Sequence, residues 1–287
     1  MTIMIFDTET TSLDKPFCYN VGYIIINSDT AEVITKRDFV VEQVWHNPML
    51  FTTAYYADKR ELYVKSMRSR KTTMDKFGYI CQRMIRDIKN FEVSSAYAYN
   101  SSFDEKVFDF NCDWFKCNNP FDNIPIYDIR GYAHHFLCGD NFKKWCEEHE
   151  AFSDSGNYST TAENMFRYIS GIDDFVEEHT ALADSEIETE ILLTSLDVGA
   201  EIETDYKAFR TIERPQKKTF TVKHNNEIVV SIECDSIRYM KTKNTIFSRV
   251  NPLRFFSQSF FFVRITCKKG VDFYPGMSII IIVKREK

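Results

Sequence analysis

The residues best suited to chemistry are four carboxylates and one histidine in three separated segments: FDTETTSL (6–13), AYNSSFDEKVF (98–108) and HTALADSEIETEIL (179–192). In the first segment, Asp7 and Glu9 stand two apart at the end of an apolar run, and side chains two apart on a strand point to the same face. Both carboxylates can therefore bind one metal ion. The spacing alone is a weak signal in an acidic chain, because Asp184 and Glu186 repeat it and exposed charge is the common explanation.

The second segment places Asn100 and Asp104 between a predicted strand and the helix that follows it. Ligands of open α/β sheets bind at the carboxyl ends of the strands, so both residues are candidates for a site there. As an isolated residue, Asp104 is more often a helix N-terminal charge, which the helix dipole favours. Only its combination with the other segments makes it a candidate metal ligand.

In the third segment, His179 lies five residues before Asp184. At about 100° per residue, two positions five apart on a helix do not face the same way. We therefore predict that His179 belongs to the loop that enters the helix carrying Asp184. Its unperturbed pKa of about 6.5 suits a general base near neutral pH. We interpret the remaining histidines as structural: His46, His134, His135, His149 and His224.

Taken together, the three segments resemble the signature of the DEDDh, or DnaQ-like, 3'-5' exonucleases over about residues 1–200. The resemblance implies a ribonuclease H-like fold and hydrolysis of phosphodiester bonds with two divalent cations, Mg²⁺ or Mn²⁺, which oxygen ligands favour. It makes His179 the general base, and Thr180, where the sister class has tyrosine, favours the histidine subclass. The implied metal ligands, which with His179 form the catalytic set, are Asp7, Glu9, Asp104 and Asp184.

The same resemblance implies how a nucleic-acid 3' end is bound. Backbone groups after the first motif would hold the terminal nucleotide, Leu13 would wedge against its base, and Phe103 would pack beneath the site. The implied substrate-binding residues are Thr8, Thr10, Leu13, Asn100 and Phe103. Two features depart from the pattern: Ser12 stands where glycine is common, and the stretch containing WHNPMLFTTAYYADKREL is long and distinctive.

The elements that must position these residues follow from hydrophobic periodicity. Three consecutive strands are predicted at 3–6, 21–26 and 32–41, and an amphipathic helix is predicted within 55–90. Further strands are predicted at 94–99 and 124–129, with helices near 103–110, 131–138, 140–150, 160–170 and 182–197. This order predicts an α/β fold, with a mixed sheet of three antiparallel strands and then parallel strands, flanked by helices.

The texture of the chain changes after residue 200, and we predict an exonuclease domain at 1–204 and a β-rich basic region at 205–287. Apolar and polar residues alternate along 219–239, which predicts a β-hairpin that turns at Asn225 and Asn226. From Met240 the chain has ten Lys or Arg and two acidic residues, although its overall net charge is −6. The aromatic side chains there either stack on single-stranded bases beside these cations or form a core.

Composition sets outer limits on these interpretations. With 287 residues and 44% hydrophobic residues, the chain can bury a large core. No apolar run approaches the roughly 18–20 residues of a membrane span, and the first residues do not resemble a signal peptide. We therefore expect a cytoplasmic protein without a membrane partner. The eight cysteines, which form no CxxC pair, are expected to be reduced thiols.

The favoured function is a 3'-5' exonuclease acting on DNA in proofreading or repair. Its candidate partners are single-stranded DNA with a free 3' end and a DNA polymerase. A 3'-5' exoribonuclease is the close alternative, because selection of the sugar depends on contacts that the sequence does not reveal. A non-catalytic nucleic-acid-binding or polymerase-binding module is the alternative of another class, against which the intact set of five catalytic residues argues.

Overall fold

The structure is a computed structural model, and the chain divides into two compact units, Met1–Glu213 and Arg214–Lys287. Beyond residue 215, only the backbone of the strands is described. The described residues are 1–52, 54, 57–215, 218–224, 227–234, 238–240, 260–265 and 279–284.

A six-stranded sheet forms the centre of the first unit. Its strands are β1 (Thr2–Thr10), β2 (Cys18–Asn27), β3 (Val33–Val41), β4 (Thr73–Asp75), β5 (Ser95–Ala98) and β6 (Ile126–Asp128). They lie side by side in the order β4-β3-β2-β1-β5-β6. The first three strands are antiparallel neighbours, whereas β5 and β6 continue the sheet in parallel from β1. This mixed sheet confirms the predicted ribonuclease H-like architecture.

Helices cover both faces of this sheet. They are α1 (Glu42–Trp45), α2 (Pro48–Phe51), α3 (Arg60–Arg68), α4 (Phe77–Asn90), α5 (Ser102–Phe115), α6 (Ile129–Phe136), α7 (Asp140–Glu148), α8 (Ala162–Ser170) and α9 (Ala181–Asp197). Alternate residues of β1 enter two different cores, since successive side chains of a strand point to opposite faces. Met4 and Phe6 pack in the core shared with α4 and α5, and Ile3 and Ile5 pack in the core shared with α6 and α9. The helix that carries Asp184 therefore crosses one face of β1, and the helix that carries Asp104 covers the other.

The prediction of one amphipathic helix within residues 55–90 is wrong in number, because the structure has two α-helices there, of which α4 is the second. The part before α4 contains α3 and the short edge strand β4, which pairs in parallel with β3. Arg70, just after α3, adopts a left-handed backbone conformation with φ of 60°. The β-branched pair Thr72 and Thr73 then favours an extended chain over a helix. The helical periodicity read across residues 70–75 therefore predicted one helix where the chain has two helices separated by a strand.

Residues 205–213, beyond the predicted domain boundary, belong to the first unit. Ile212 forms a β-bridge with Tyr158, and the ring of Phe209 stacks on His134 at 5.8 Å between centroids. In the part of the chain that the structure describes, no helix has the length and apolar character needed to cross a bilayer. The roles assigned to the two regions of the chain stay predictions.

The described residues of the second unit form two small sheets. Its strands are β7 (Lys218–His224), β8 (Glu227–Cys234), β9 (Arg238–Met240), β10 (Phe260–Ile265) and β11 (Ile279–Lys284). β7 and β8 form the predicted antiparallel hairpin, whose turn residues Asn225 and Asn226 lie outside the described residues. β10, which begins with three phenylalanines, pairs with both β9 and β11, so its backbone is hydrogen-bonded on two sides. The β-rich character predicted for this region is confirmed.

Candidate active site

Three carboxylates meet at the end of β1. One side-chain oxygen from each of Asp7, Glu9 and Asp184 lies within 4.8 Å of the other two. Asp7 is partly buried, whereas Glu9 and Asp184 are buried. Asp184 comes from the first turn of α9, far along the chain from β1. The three oxygens form a donor set that suits a hard divalent cation.

Asp104 approaches the same place from α5, on the other side of β1. Its Oδ1 accepts a hydrogen bond of 2.6 Å from the hydroxyl of Thr8, and only 2% of the residue is exposed. Burial, and then the negative charge of Asp104, raise the pKa of Asp7 well above its usual range. The four carboxylates predicted as metal ligands are therefore electrostatic neighbours in one region.

The first turn of α9 is fixed against β2 by a glycine and an asparagine. Gly22 pairs with Asp7 across the sheet, and a Cβ on Gly22 would lie only 2.2 Å from the backbone carbon of Ala181. Asn20, which is fully buried, accepts the backbone N–H of Ala181 through Oδ1 at 2.8 Å. The hydroxyl of Ser185 donates to the carbonyl of Gly22 at 3.3 Å. These contacts hold Asp184 beside β1.

We expect Gly22→Ala to move the first turn of α9 and to lower catalytic activity by roughly 10²-fold, the loss that a displacement of about 1 Å can cause. The added methyl group should also destabilise the protein by about 1–3 kcal/mol through overpacking. Rates of the phosphodiester hydrolysis that the sequence predicts, together with thermal melts of the variant, would measure both effects. Gly139→Ala is the matched control, because a Cβ at Gly139 meets no atom within 4 Å. Equal rates in the two variants would contradict the proposed role of Gly22.

The site concentrates negative charge in a buried place. Burial, which is the main cause in each case, raises the pKa of Asp104 to about 7, of Glu9 to about 8 and of Asp184 to about 9. Neighbouring carboxylates add to the rise for Glu9 and Asp184, since close like charges oppose ionisation. Oδ1 of Asp184 is buried without a hydrogen-bond partner among the described residues. A bound divalent cation would provide both the missing partner and the missing positive charge, so the residues fit a metal ion.

These raised pKa values predict how the stability of the metal-free protein depends on pH. A carboxyl whose pKa is raised on folding stabilises the fold below its unfolded pKa of about 4, and this contribution is lost as the pH rises through the folded pKa. In EDTA the melting temperature should therefore fall between pH 5 and pH 9 by at least about 5 °C, given about 2–4 °C per kcal/mol. Saturating Mn²⁺ should reduce this fall. A melting temperature in EDTA that stays constant over this range would contradict the prediction.

His179 lies in the loop before α9, as the sequence predicts. Its backbone is left-handed, with φ of 52°, and its Nδ1 lies 3.4 Å from Oε2 of Glu177. Glu163 completes a second group with these two residues, whose ligand atoms lie within 4.8 Å of one another. Burial, and then the positive charge of Lys59, lower the pKa of His179, which favours the neutral imidazole that can accept a proton.

Solved structures share this fold. One 3'-exonuclease, which recognises the 3' end of a histone mRNA stem-loop, has a TM-score of 0.50 and 16% sequence identity, with coverage of 80% of this chain and 90% of that chain. The nuclease domain of 3'hExo, a DEDDh family member bound to rAMP, has a TM-score of 0.47 and 17% identity, with coverage of 69% and 92%. The first of these likenesses shows that the chain has the fold of a 3'-exonuclease.

Escherichia coli exonuclease I, in complex with a dA16 oligonucleotide, is another solved structure with similarity to this chain. Its TM-score is 0.41 and its identity 15%, with 68% of this chain and 41% of exonuclease I covered. The present chain therefore spans less than half the length of exonuclease I. No protein-family model and no curated protein sequence matches the amino-acid sequence.

The predicted substrate-binding residues lie near the edge of the exonuclease fold where β1 and β5 end. Thr8 and Thr10 belong to the last part of β1, Asn100 follows β5, and Phe103 in the first turn of α5 packs against the adjacent core. Leu13 is 84% exposed, so its side chain is available to an external ligand. The hydroxyl of Thr8 is already used to hold Asp104. Contact of these five residues with a nucleic acid stays a prediction.

The distinctive segment between β3 and β4 contributes to the site, which the sequence alone did not indicate. The ring of Tyr63, in α3, packs edge-on against Tyr19 at 5.9 Å between centroids, and the Tyr19 hydroxyl donates to Glu9 Oε2 at 3.4 Å. Lys59 donates a hydrogen bond to the backbone carbonyl of Glu178, next to His179. The segment therefore packs on Tyr19, which contacts the carboxylate cluster, and itself contacts the loop that carries the histidine.

Sequence reasoning also missed two acidic residues of the site. The charge of Glu177 contributes to the raised pKa values of Glu9 and Asp184 as well as contacting His179, so this residue lies between the two groups. Glu188, one helical turn after Asp184, is buried beside the cluster. Its spacing of four residues from Asp184 on a predicted helix was a signal that the sequence did contain.

Proposed function

We propose that the protein is a metal-dependent 3'-5' exonuclease that hydrolyses the terminal phosphodiester bond of a nucleic acid, with single-stranded DNA as its favoured substrate. The observation that carries this proposal is the convergence of Asp7, Glu9 and Asp184 within 4.8 Å, in the fold of an exonuclease. Asp104 beside Asp7 completes the set of four carboxylates. A role in proofreading or repair, with a DNA polymerase as partner in the cytoplasm, belongs to the same proposal.

The carboxylates would hold two divalent ions, Mg²⁺ or Mn²⁺. Asp7, Glu9 and Asp184 would hold one of them, and Asp7 and Asp104 would contribute to the other. Bound there, the ions would supply an activated water and would stabilise negative charge on the attacking and leaving oxygens of an in-line displacement. The oxygen-only donor set accounts for the choice of these metals over zinc.

The side chains of the protein would perform the remaining tasks. His179 would accept a proton from the attacking water, and Glu177, 3.4 Å from its Nδ1, would hold the imidazole ring in place. Backbone groups near Thr8 and Thr10 would bind the terminal nucleotide, while exposed Leu13 would contact its base. Asn100 and Phe103 would line and support the same position.

RNA is the second candidate substrate. The neighbouring 3'-exonuclease with a TM-score of 0.50 recognises a histone mRNA stem-loop. A single fold and metal site can serve either polymer, since discrimination of RNA from DNA depends on contacts to the 2'-hydroxyl group.

Gel analysis of end-labelled DNA and RNA single strands of one sequence would test the proposal. With Mg²⁺ or Mn²⁺, a 5'-labelled strand should shorten in a ladder, and a 3'-labelled strand should release its label as mononucleotide from the start. EDTA should stop both reactions. The polymer that is degraded faster identifies the substrate. If neither polymer is cleaved with either metal, the proposed activity is wrong and a non-catalytic binding module becomes the better explanation.

A further inference from the structure

Glu188 is a fifth carboxylate beside the proposed metal site. It lies on α9 four residues after Asp184, and residues four apart on a helix are neighbours on one face. Only 3% of Glu188 is exposed. Its electrostatic neighbours include Asp7, Asp104 and Asp184. Glu188 is therefore a buried neighbour of Asp184 on α9 whose charge also interacts with those of Asp7 and Asp104.

One oxygen of Glu188 has no hydrogen-bond partner among the described residues. In the described part of the chain, the only two buried carboxylate oxygens in this state are Oε2 of Glu188 and Oδ1 of Asp184. The Glu188 carboxylate also has a backbone hydrogen bond with Tyr99. Burial of an unpaired polar or charged oxygen costs free energy that a metal ion can offset.

A purely structural role explains Glu188 poorly. The neighbouring residues Ile187, Ile191 and Leu192 belong to the apolar core, so an apolar side chain would suit this helix well. Burial, and then the charges of Asp104 and Asp184, raise the pKa of Glu188 well above its usual range, which opposes ionisation while no cation is bound. Protonation alone would still leave Oε2 without a partner among the described residues.

We propose that Glu188 is a ligand of the second divalent ion, which it would bind together with Asp7 and Asp104. This inference rests on the proposed function and gives the second ion three carboxylate contacts from β1, α5 and α9. The four positive charges of two ions would then face five carboxylates. The set adds Glu188 to the four ligands predicted from the sequence.

Titration of the full-length protein with Mn²⁺, with free ion counted by electron paramagnetic resonance, would test this assignment. Glu188→Gln keeps the side-chain size and an oxygen that can accept the Tyr99 N–H, but it removes the charge. We expect the wild type to bind two ions, and Glu188→Gln to bind the second ion at least about 10-fold more weakly. Glu190→Gln, an exposed position on the same helix, is the matched control and should bind both ions like the wild type.

Unchanged binding of both ions by Glu188→Gln would overturn the assignment, as would a wild type that binds fewer than two. If Glu188→Gln fails to fold, Glu188→Asp decides, because it keeps the charge but shortens the side chain. Weaker binding of the second ion by that variant supports the assignment, and wild-type affinity overturns it.

Hydrolysis assays on the same proteins separate this inference from the proposed function. A wild type that binds two ions through Glu188 but cleaves neither polymer would refute the exonuclease and leave the ligand assignment standing. An active wild type whose Glu188→Gln variant binds both ions normally would refute the assignment alone.

Discussion

Asp7→Asn is expected to reduce metal-dependent hydrolysis by roughly 10³-fold or more. Metal ions stabilise transition-state charge by several kcal/mol, and each loss of about 1.36 kcal/mol slows a reaction tenfold. Asp7 is the residue that both proposed ion positions share, so its loss should affect both ions. Asparagine has nearly the same shape as aspartate but offers a neutral amide in place of the charged ligand.

Initial rates on 5'-labelled single strands, measured at saturating Mg²⁺ and Mn²⁺, would test this expectation. Asp14→Asn removes the same charge from an exposed position shortly after β1, and it should keep wild-type activity. Thermal melts in EDTA should show Asp7→Asn to be at least as stable as the wild type, because the substitution removes a carboxyl group whose raised pKa shows that its ionisation is unfavourable in the folded protein. Turnover by Asp7→Asn at the wild-type rate would refute the site.

His179→Ala is expected to lower the rate of the chemical step by roughly 10²- to 10⁴-fold, the usual contribution of a general base. The imidazole is held by Glu177, and its lowered pKa keeps it neutral near physiological pH. Because His179 belongs to a separate group from the three clustered carboxylates, its removal should leave the binding of Mn²⁺ unchanged.

Single-turnover rates and Mn²⁺ titrations of the same variant would distinguish a base from a ligand. His46→Ala, at an exposed position, is the control and should behave like the wild type. A normal rate for His179→Ala would exclude the histidine as the base. Loss of metal binding together with rate would instead make His179 a ligand.

Hydrogen bonds join the segment between β3 and β4 to the parts of the protein that form the candidate site. Asn20 links α3, α9 and β3. Its Oδ1 accepts hydrogen bonds from the Tyr63 hydroxyl at 3.0 Å and from the Ala181 N–H at 2.8 Å. Its Nδ2 donates a hydrogen bond to the Phe39 carbonyl at 2.9 Å. Lys59 then contacts the loop that carries His179 through the Glu178 carbonyl. The segment between β3 and β4 and the first turn of α9 therefore both donate a hydrogen bond to the same buried residue, Asn20.

The sequence by itself determined the parts of the protein that depend on local pattern. Two carboxylates two residues apart on an apolar strand must share a face, so the pairing of Asp7 with Glu9 followed from strand geometry. Because two positions five apart on a helix do not face the same way, His179 was predicted to lie in a loop before the helix of Asp184, and the structure has it there. The order of strands and helices was sufficient to predict the mixed sheet, because sequential elements usually become spatial neighbours.

The tertiary structure alone decided which distant residues complete the site. Gly22 matters because α9 returns across β2 more than 150 residues later, and no local pattern announces that close approach. Lys59 contacts Glu178, which lies 119 residues later in the chain. The segment that contains Lys59 goes on into α3 and β4, and helical periodicity in the sequence did not reveal this division. Glu188 showed a helical spacing in the sequence, but its burial and its unpartnered oxygen arise only when α9 packs on the sheet. Long-range packing creates such environments, and a pattern of nearby residues does not contain them.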